Sequence, residues 1–436
     1  MPFRSVTRLL LLTAAVSPAA VAQIPTYASE VSRIIEAKCH TCHRDGDIAP
    51  FALNSYQDAV TWAQDIKTAV TAGTMPPWKP VAGYGVFQDS LALTDAQKQT
   101  LLSWIANGMP YGDRKELPHP QQDPGPWPLG TPDVTLQVPK PFTPTQGVDI
   151  YRCFVLPATG FTENTWLKAI DIQPGDRKIV HHVLVFQDTT GTAAALDGQD
   201  GQPGYTCFGG PDIPIDYTNI YNALDELGGT AGWAPGARPH FLEDGIGILV
   251  RPNARIVIQV HYHPNGATGP DQTSLGMYYA TSTIQKRLYQ IPVVNMTFEI
   301  PPNTVQDVVA TFPPAPLPIS AEAITIFPHM HLLGTHIKVD LIDQDNNVTP
   351  MIYEDNWEFN WQGEYLYANP IPIPANSTVK VTCTFDNTAN NPNNPNNPLV
   401  TVGWGELTTD EMCLTYVGVT LDNDPFTILN TLKPVR

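Results

Sequence analysis

Two periods of apolar and polar positions run along this chain of 436 residues. Near the N-terminus the spacing is helical: Val31, Ile34 and Ile35 keep one face apolar. Ser55-x-x-Asp58 predicts the start of a second helix that Gly73 can close, and Thr94-x-x-Gln97 predicts a third ending near Gly108. From residue 133 onward the period falls to two. Val134, Leu136 and Val138 alternate, as do Ile256, Ile258 and Val260, then Ile324 and Ile326, then Val379 and Val381. Short runs of this kind, broken by Pro, Gly and Asn, predict antiparallel β-sandwiches. Between the two regimes, residues 114–132 carry Pro118, Pro120, Pro124, Pro126, Pro128 and Pro132, which predicts a stiff extended linker. The Asn-Pro run from Asn390 to Pro398 reads as a surface loop.

The first residues differ from both. Arg4 and Arg8 precede the apolar run Leu9 to Val16, and Ala20-Val21-Ala22 offers a small-residue cleavage site. This is a secretory signal pattern, too short for a membrane anchor, and no later stretch reaches ~18 apolar residues. The expected mature chain is exported, to a bacterial periplasm or the medium, with no membrane span. The expected order is a signal peptide at 1–22, a small all-α domain at 23–113, the linker at 114–132, and two all-β antiparallel, jelly-roll-like sandwiches at 133–288 and 289–436.

Composition narrows the function. A net charge of −18 lacks the basic stripe of a nucleic-acid binder. No glycine-rich phosphate loop, H-E-x-x-H or G-x-S-x-G motif is present. Prolines number 44, about twice the usual share of ~5%, and they are spread among the short β-type runs, as suits a loop-rich β architecture.

Cys39-His40-Thr41-Cys42-His43 at the end of the first helix is C-x-x-C-H. Two thiols one turn apart can form thioethers to haem vinyl groups, with the following histidine beneath the iron. The competing reading is a structural or redox cysteine pair; export and the short helical setting favour covalent haem. The stretch resembles class I c-type cytochromes, which implies His43 as proximal ligand. Met75, in Gly73-Thr74-Met75-Pro76-Pro77-Trp78, matches that family's distal loop and is favoured as the second axial ligand over Met109.

The β region concentrates histidine. Of eleven in the chain, it holds His181-His182, His261-Tyr262-His263 and His329-Met330-His331. Residues two apart share a face of a strand, so each H-x-H can present two imidazoles to one ion. Any single histidine is more simply a core or surface residue; three clusters favour metal. Imidazole alone suits zinc or copper, and a thioether among the ligands selects Cu(I). The adjacent pair raises a difficulty, because a regular pleat sends His181 and His182 to opposite faces. A common ion requires a local bulge or the use of different ring nitrogens. Outside the haem motif four cysteines remain, and spacing does not choose among their three pairings.

His-His in KIVHHVLVF, a histidine in VIQVHYHP, H-x-H in PHMHLLG and a methionine in TTDEMCLTY occur in an order that resembles the copper type II, ascorbate-dependent monooxygenases. The resemblance spans roughly residues 130–436. It implies an electron-storing copper held by His181, His182 and His261, and an oxygen-activating copper held by His329, His331 and Met412. It implies disulfides Cys153–Cys207 and Cys383–Cys413, and it places Gln259 between the copper sites. His263 is not a family ligand and reads as a satisfied or supporting histidine.

The chain also departs from that family. Peptide hydroxylases hold the substrate carboxylate with an arginine, an asparagine and a tyrosine; the matching positions here are Phe327, Leu414 and Tyr416, so only the tyrosine is kept. Loss of a bidentate carboxylate partner points to a neutral or apolar small-molecule substrate. The function expected is C–H hydroxylation with O2, two copper ions and one covalent haem c. Electrons would enter through the haem from a periplasmic donor or an ascorbate-like reductant. The alternative is a periplasmic copper and haem protein that transfers electrons or handles copper without oxygenation.

Overall fold

The computed structural model describes residues 24–45, 49–118, 125, 127–215, 229–235, 237–263 and 269–424. The expected signal peptide and part of the proline-rich linker lie outside the described residues. Two compact units emerge. One comprises residues up to 41 with 53–75 and 93–119; the other comprises 42–52, 76–92 and everything from 120 onward.

The first unit is helical. Ser32–Lys38 is followed by Tyr56–Thr61, Ala63–Ala72 and Asp95–Ala106. Ser55 caps the second by accepting from the Asp58 N–H. Gly73, at φ 73°, closes the third from the left-handed region. Thr94 and Gln97 form a reciprocal capping box on the fourth. What the sequence reads as one helix after Ser55 is two, interrupted at Trp62. Ala28, Val31, Ala59 and Trp104 are buried at the centre, where Tyr27 and Tyr56 stack edge-on.

The second unit is almost entirely β. A five-stranded sheet runs Tyr205–Thr206, Ile150–Val155, Arg255–Tyr262, Val180–Asp188, Ala231–Trp233. A four-stranded sheet runs Thr304–Phe312, Thr378–Asn387, Gly334–Ile342, Val348–Glu354. The partner of both is one eight-stranded sheet: Val134–Gln137, Ser274–Tyr279, Thr165–Gln173, Ile246–Val250, Lys286–Asn295, Cys413–Leu421, Ala321–His329, Tyr365–Ile373. Its halves join where Lys286 and Arg287 pair in parallel with Ile246 and Gly247. Period-two patterning cannot reveal that join, because it reports which face is buried and not which strand lies alongside.

Two apolar cores result. One gathers Leu167, Val183, Val185, Ile258, Val260 and Leu275 between the five-stranded sheet and the first half of the long sheet. The other gathers Ile326, Ile337, Val339, Val381, Phe385 and Val417 between the four-stranded sheet and the second half. Disulfides Cys153–Cys207 and Cys383–Cys413 are both formed, with Cα separations of 5.8 and 5.7 Å. Cys383–Cys413 links the four-stranded sheet to the long sheet.

Candidate metal centre

The adjacent histidines sit on a β-bulge. Val180 pairs with Tyr262 and His182 pairs with His261, so His181 has no opposite residue and the register shifts there. The extra residue lets both imidazoles reach one place. His181, His182 and His261 form a group whose candidate ligand atoms all lie within 4.8 Å of one another. The Nδ1 atoms of His181 and His182 are 3.3 Å apart, and Nε2 of both His181 and His261 has no hydrogen-bond partner. Burial, reinforced by the neighbouring imidazoles, holds His181 and His182 well below the ordinary histidine pKa. Burial likewise lowers His261. Three neutral imidazoles, two of them buried with an unpartnered Nε2, fit a metal ion.

His261 stands in a row of three strands, opposite Tyr151 on one side and His182 on the other. The Tyr151 ring stacks on it at 4.1 Å. Gln259, two residues earlier on the same face, is buried.

The second cluster forms where the Ala321–His329 and Cys413–Leu421 strands meet. His329 pairs with Leu414, and His331 lies just beyond the strand end. Their rings are 5.1 Å apart and nearly perpendicular. Burial pushes His329 down to about 4 and His331 well below its ordinary value. Each Nδ1 faces an acceptor: Gln362 Oε1 at 2.7 Å for His329 and the Asp410 carbonyl at 3.1 Å for His331. Both Nδ1 atoms therefore carry the proton and leave Nε2 free for a metal. Met412, buried, directly precedes the Cys413–Leu421 strand.

Two loops hold these rings, and only the second overlaps a motif read from the sequence, the TTDEMCLTY stretch. In the first, Trp357 Nε1 donates to the His331 carbonyl, Phe359 stacks on His181 at 4.3 Å, and Gln362 meets His329. In the second, residues 404–412, the Tyr151 hydroxyl donates to the Glu406 carbonyl and Asp149 accepts from the Thr408 N–H. The Glu411 carboxyl, raised to about 8 by burial, accepts from the N–H groups of His331 and Met412.

One histidine of each cluster, His182 and His329, lines a single cavity of about 210 Å³. His182, Leu184, Phe186 and Gln259 line it from the five-stranded sheet; His329, Phe327, Leu414 and Tyr416 line it from the long sheet, with Met412 beside them. The rings of His182 and His329 are 5.8 Å apart. Phe327 and Tyr416 are cross-strand partners, and their rings lie 6.4 Å apart. Burial raises the Tyr416 hydroxyl to about 12, so it stays protonated at neutral pH. Among the described lining residues there is no lysine or arginine, and the one carboxyl, Glu406, is raised by burial.

His263 lies outside the 4.8 Å group and bonds Asp149 at 2.6 Å. In the C-x-x-C-H segment, Cys39 ends the Ser32–Lys38 helix, and neither Cys39 nor Cys42 is in a disulfide. His43 Nδ1 meets the Phe51 carbonyl at 3.1 Å, which places the ring proton on Nδ1. Cys39 and Met75 fall in the helical unit, Cys42 and His43 in the β unit. Met75 is exposed; the rival Met109 has a positive φ of 59°.

Fold and site together define a mostly β protein with antiparallel sheets and two imidazole clusters suited to a borderline-soft metal. Comparison with known proteins narrows the class. Residues 290–419 match the model of the copper type II ascorbate-dependent monooxygenase C-terminal domain, which includes His329, His331 and Met412. The chain is 23% identical over 405 residues to DBH-like monooxygenase protein 1 of Homo sapiens, covering 87% of this chain and 56% of that protein. It is 23% identical over 293 residues to the same-named protein of Mus musculus, covering 61% and 44%. The chain thus spans about half the length of these relatives. These matches support the copper monooxygenase family. Among solved structures, the major capsid protein P2 from bacteriophage PM2 gives a TM-score of 0.23 at 9% identity, covering 66% of this chain and 98% of that one. A likeness of that size carries no argument here. No described helix is long and apolar enough to cross a membrane.

Proposed function

We propose that this chain is an exported dicopper monooxygenase that hydroxylates a C–H bond of a small neutral or apolar substrate with O2. The observation that carries the reading is the pair of imidazole clusters, each of which gives one ring, His182 or His329, to the wall of one largely apolar cavity. His181, His182 and His261 would hold one copper, and His329, His331 and Met412 the other. Copper in such ligand sets supplies one-electron chemistry and the activation of dioxygen.

The remaining residues have distinct tasks. Gln362 and the Asp410 carbonyl keep His329 and His331 in the tautomer that exposes Nε2. Phe327, Leu414, Val294 and Leu184 exclude water from the reacting carbon and favour an apolar body. The Tyr416 hydroxyl and the Gln259 amide are the neutral polar groups available to orient it. With no lysine or arginine among the described wall residues, a carboxylate substrate would lack a bidentate side-chain partner, so a peptide C-terminus is disfavoured.

Cys39 and Cys42 would carry a covalent haem with His43 and Met75 as axial ligands, giving the chain its own entry for electrons. The C-x-x-C-H spacing and the contact of His43 Nδ1 with the Phe51 carbonyl, which would leave Nε2 to face the iron, support this part of the reading.

The test is oxygen uptake by the reduced, copper-loaded protein against a panel of small neutral and apolar compounds. Uptake should depend on one class of added compound and vanish in Met412→Ala. Uptake indifferent to both would replace oxygenation with electron transfer or copper handling.

A further inference from the structure

We infer that Asp149 is a positioning residue that ties the first histidine cluster to the loop carrying Met412 and biases that cluster toward the more oxidised metal; this rests on the copper reading above. Three observations converge on its carboxylate. Oδ1 accepts from His263 Nδ1 at 2.6 Å and lies 3.6 Å from His261 Nε2, an atom with no hydrogen-bond partner. Oδ2 accepts from the buried Thr408 N–H at 2.9 Å. Thr408 stands two residues before Asp410, whose carbonyl fixes His331, and four before Met412. One side chain from the start of the Ile150–Val155 strand thus bridges both clusters.

The neighbours of His261 decide which ring nitrogen is open: Nδ1 meets the Tyr151 hydroxyl at 3.1 Å, and that hydroxyl donates its one proton to the Glu406 carbonyl, so Nδ1 is the donor and Nε2 keeps the lone pair. The Asp149 carboxylate, 3.6 Å from that Nε2, sets a part-buried negative charge beside the nitrogen that would hold the ion, where it favours Cu(II) over Cu(I). His263 acquires a role in the same step: its hydrogen bond fixes the carboxylate so that Oδ1 faces His261. The tie to Thr408 adds a mechanical consequence, because displacement of the 404–412 loop must shift the carboxylate that faces His261.

The inference separates charge from structure. In the full chain with the second cluster disabled by His329→Ala, Cu(II) and Cu(I) affinities are measured by chelator competition for wild-type Asp149 and for Asp149→Asn. Outer carboxylate partners of metal-bound histidines are typically worth about 10–100-fold in affinity. The expected result is a fall of that size for Cu(II) with a change of less than about threefold for Cu(I). Equal falls for both ions would show that Asn merely loosens the fold, and no fall for either would show that the carboxylate is a bystander; each overturns the inference. Amide exchange at Thr408 in the metal-free protein supplies a second reading, because Asp149→Ala should speed it locally while strands remote from the 404–412 loop keep their protection. Unchanged exchange at Thr408 would overturn the tie. If the Asp149 parent binds no copper, the dicopper reading itself fails, a result distinct from both.

Discussion

Gln362 offers a way to test the second cluster without touching a proposed ligand. Its amide is fixed from both ends: Nε2 donates to the Phe359 carbonyl at 2.8 Å, so Oε1 is the atom facing His329 Nδ1 at 2.7 Å. Replacing it with leucine keeps the volume roughly constant and removes the acceptor. The buried His329 Nδ1–H is then left unpaired, at a cost of about 1–3 kcal/mol, with a further loss at the Phe359 carbonyl. His329 can escape by moving its proton to Nε2, which removes the lone pair a metal needs. Partners of this kind are worth about 10–100-fold in metal affinity, or about 1.4–2.8 kcal/mol. The assay is Cu(I) competition against a chromophoric chelator in protein whose first cluster is disabled by His181→Ala, with thermal unfolding of the metal-free protein alongside. Gln362→Leu should bind more weakly by that factor and unfold earlier, while Gln362→Glu, which keeps an acceptor, should recover much of the affinity. Leucine binding Cu(I) as tightly as glutamine would refute the tautomer argument.

Other predictions concern stability and the haem motif. Glu354 is fully buried, its Oε2 is unpartnered, and burial raises its carboxyl to about 7 against the opposing pull of Tyr365 and Lys79. An acid that holds its proton more tightly when folded adds no penalty below about pH 4.5 and a growing one up to about pH 7. Glu354→Gln should therefore stabilise the protein by about 2–3 kcal/mol at pH 8 and hardly at all at pH 4.5, as read from unfolding midpoints at both values. Opening the Cys383–Cys413 disulfide, which closes a separation of 30 residues, should cost about 3–4 kcal/mol in a Cys383→Ala, Cys413→Ala variant, measured by denaturant unfolding. Protein matured with a cytochrome c assembly system should retain haem through denaturation, and Cys39→Ala, Cys42→Ala should release it all.

The parts of this molecule that were legible in the sequence are those set by local pattern. Period two marked the buried face of the Thr378–Asn387 strand, whereas Arg255–Tyr262, read the same way, is buried on both faces. Ser55, Gly73 and Thr94 marked helix ends, because a cap is a bond between near neighbours. The paired histidines announced a pleat problem, and the bulge at His181 is its solution. Other features were not legible, because they depend on residues far apart in sequence. The join between Lys286–Asn295 and Ile246–Val250 has no signature of its own. Gln362 and Phe359 sit in an ordinary polar and aromatic loop until the fold brings them to His329 and His181. Asp149 lies 112 positions before His261 and 259 before Thr408, so nothing local hints that it touches either loop or ligand.

The central claim is two coppers on six named side chains of a haem-bearing chain. Its most direct test is a count of copper and haem iron per chain, on protein exported, supplied with copper and freed of loosely bound metal, for wild type, His182→Ala and Met412→Ala. The account predicts two coppers and one haem iron in the wild type, one copper in His182→Ala, and weakened retention of one copper in Met412→Ala. One copper or none in the wild type, with the fold intact, would contradict it.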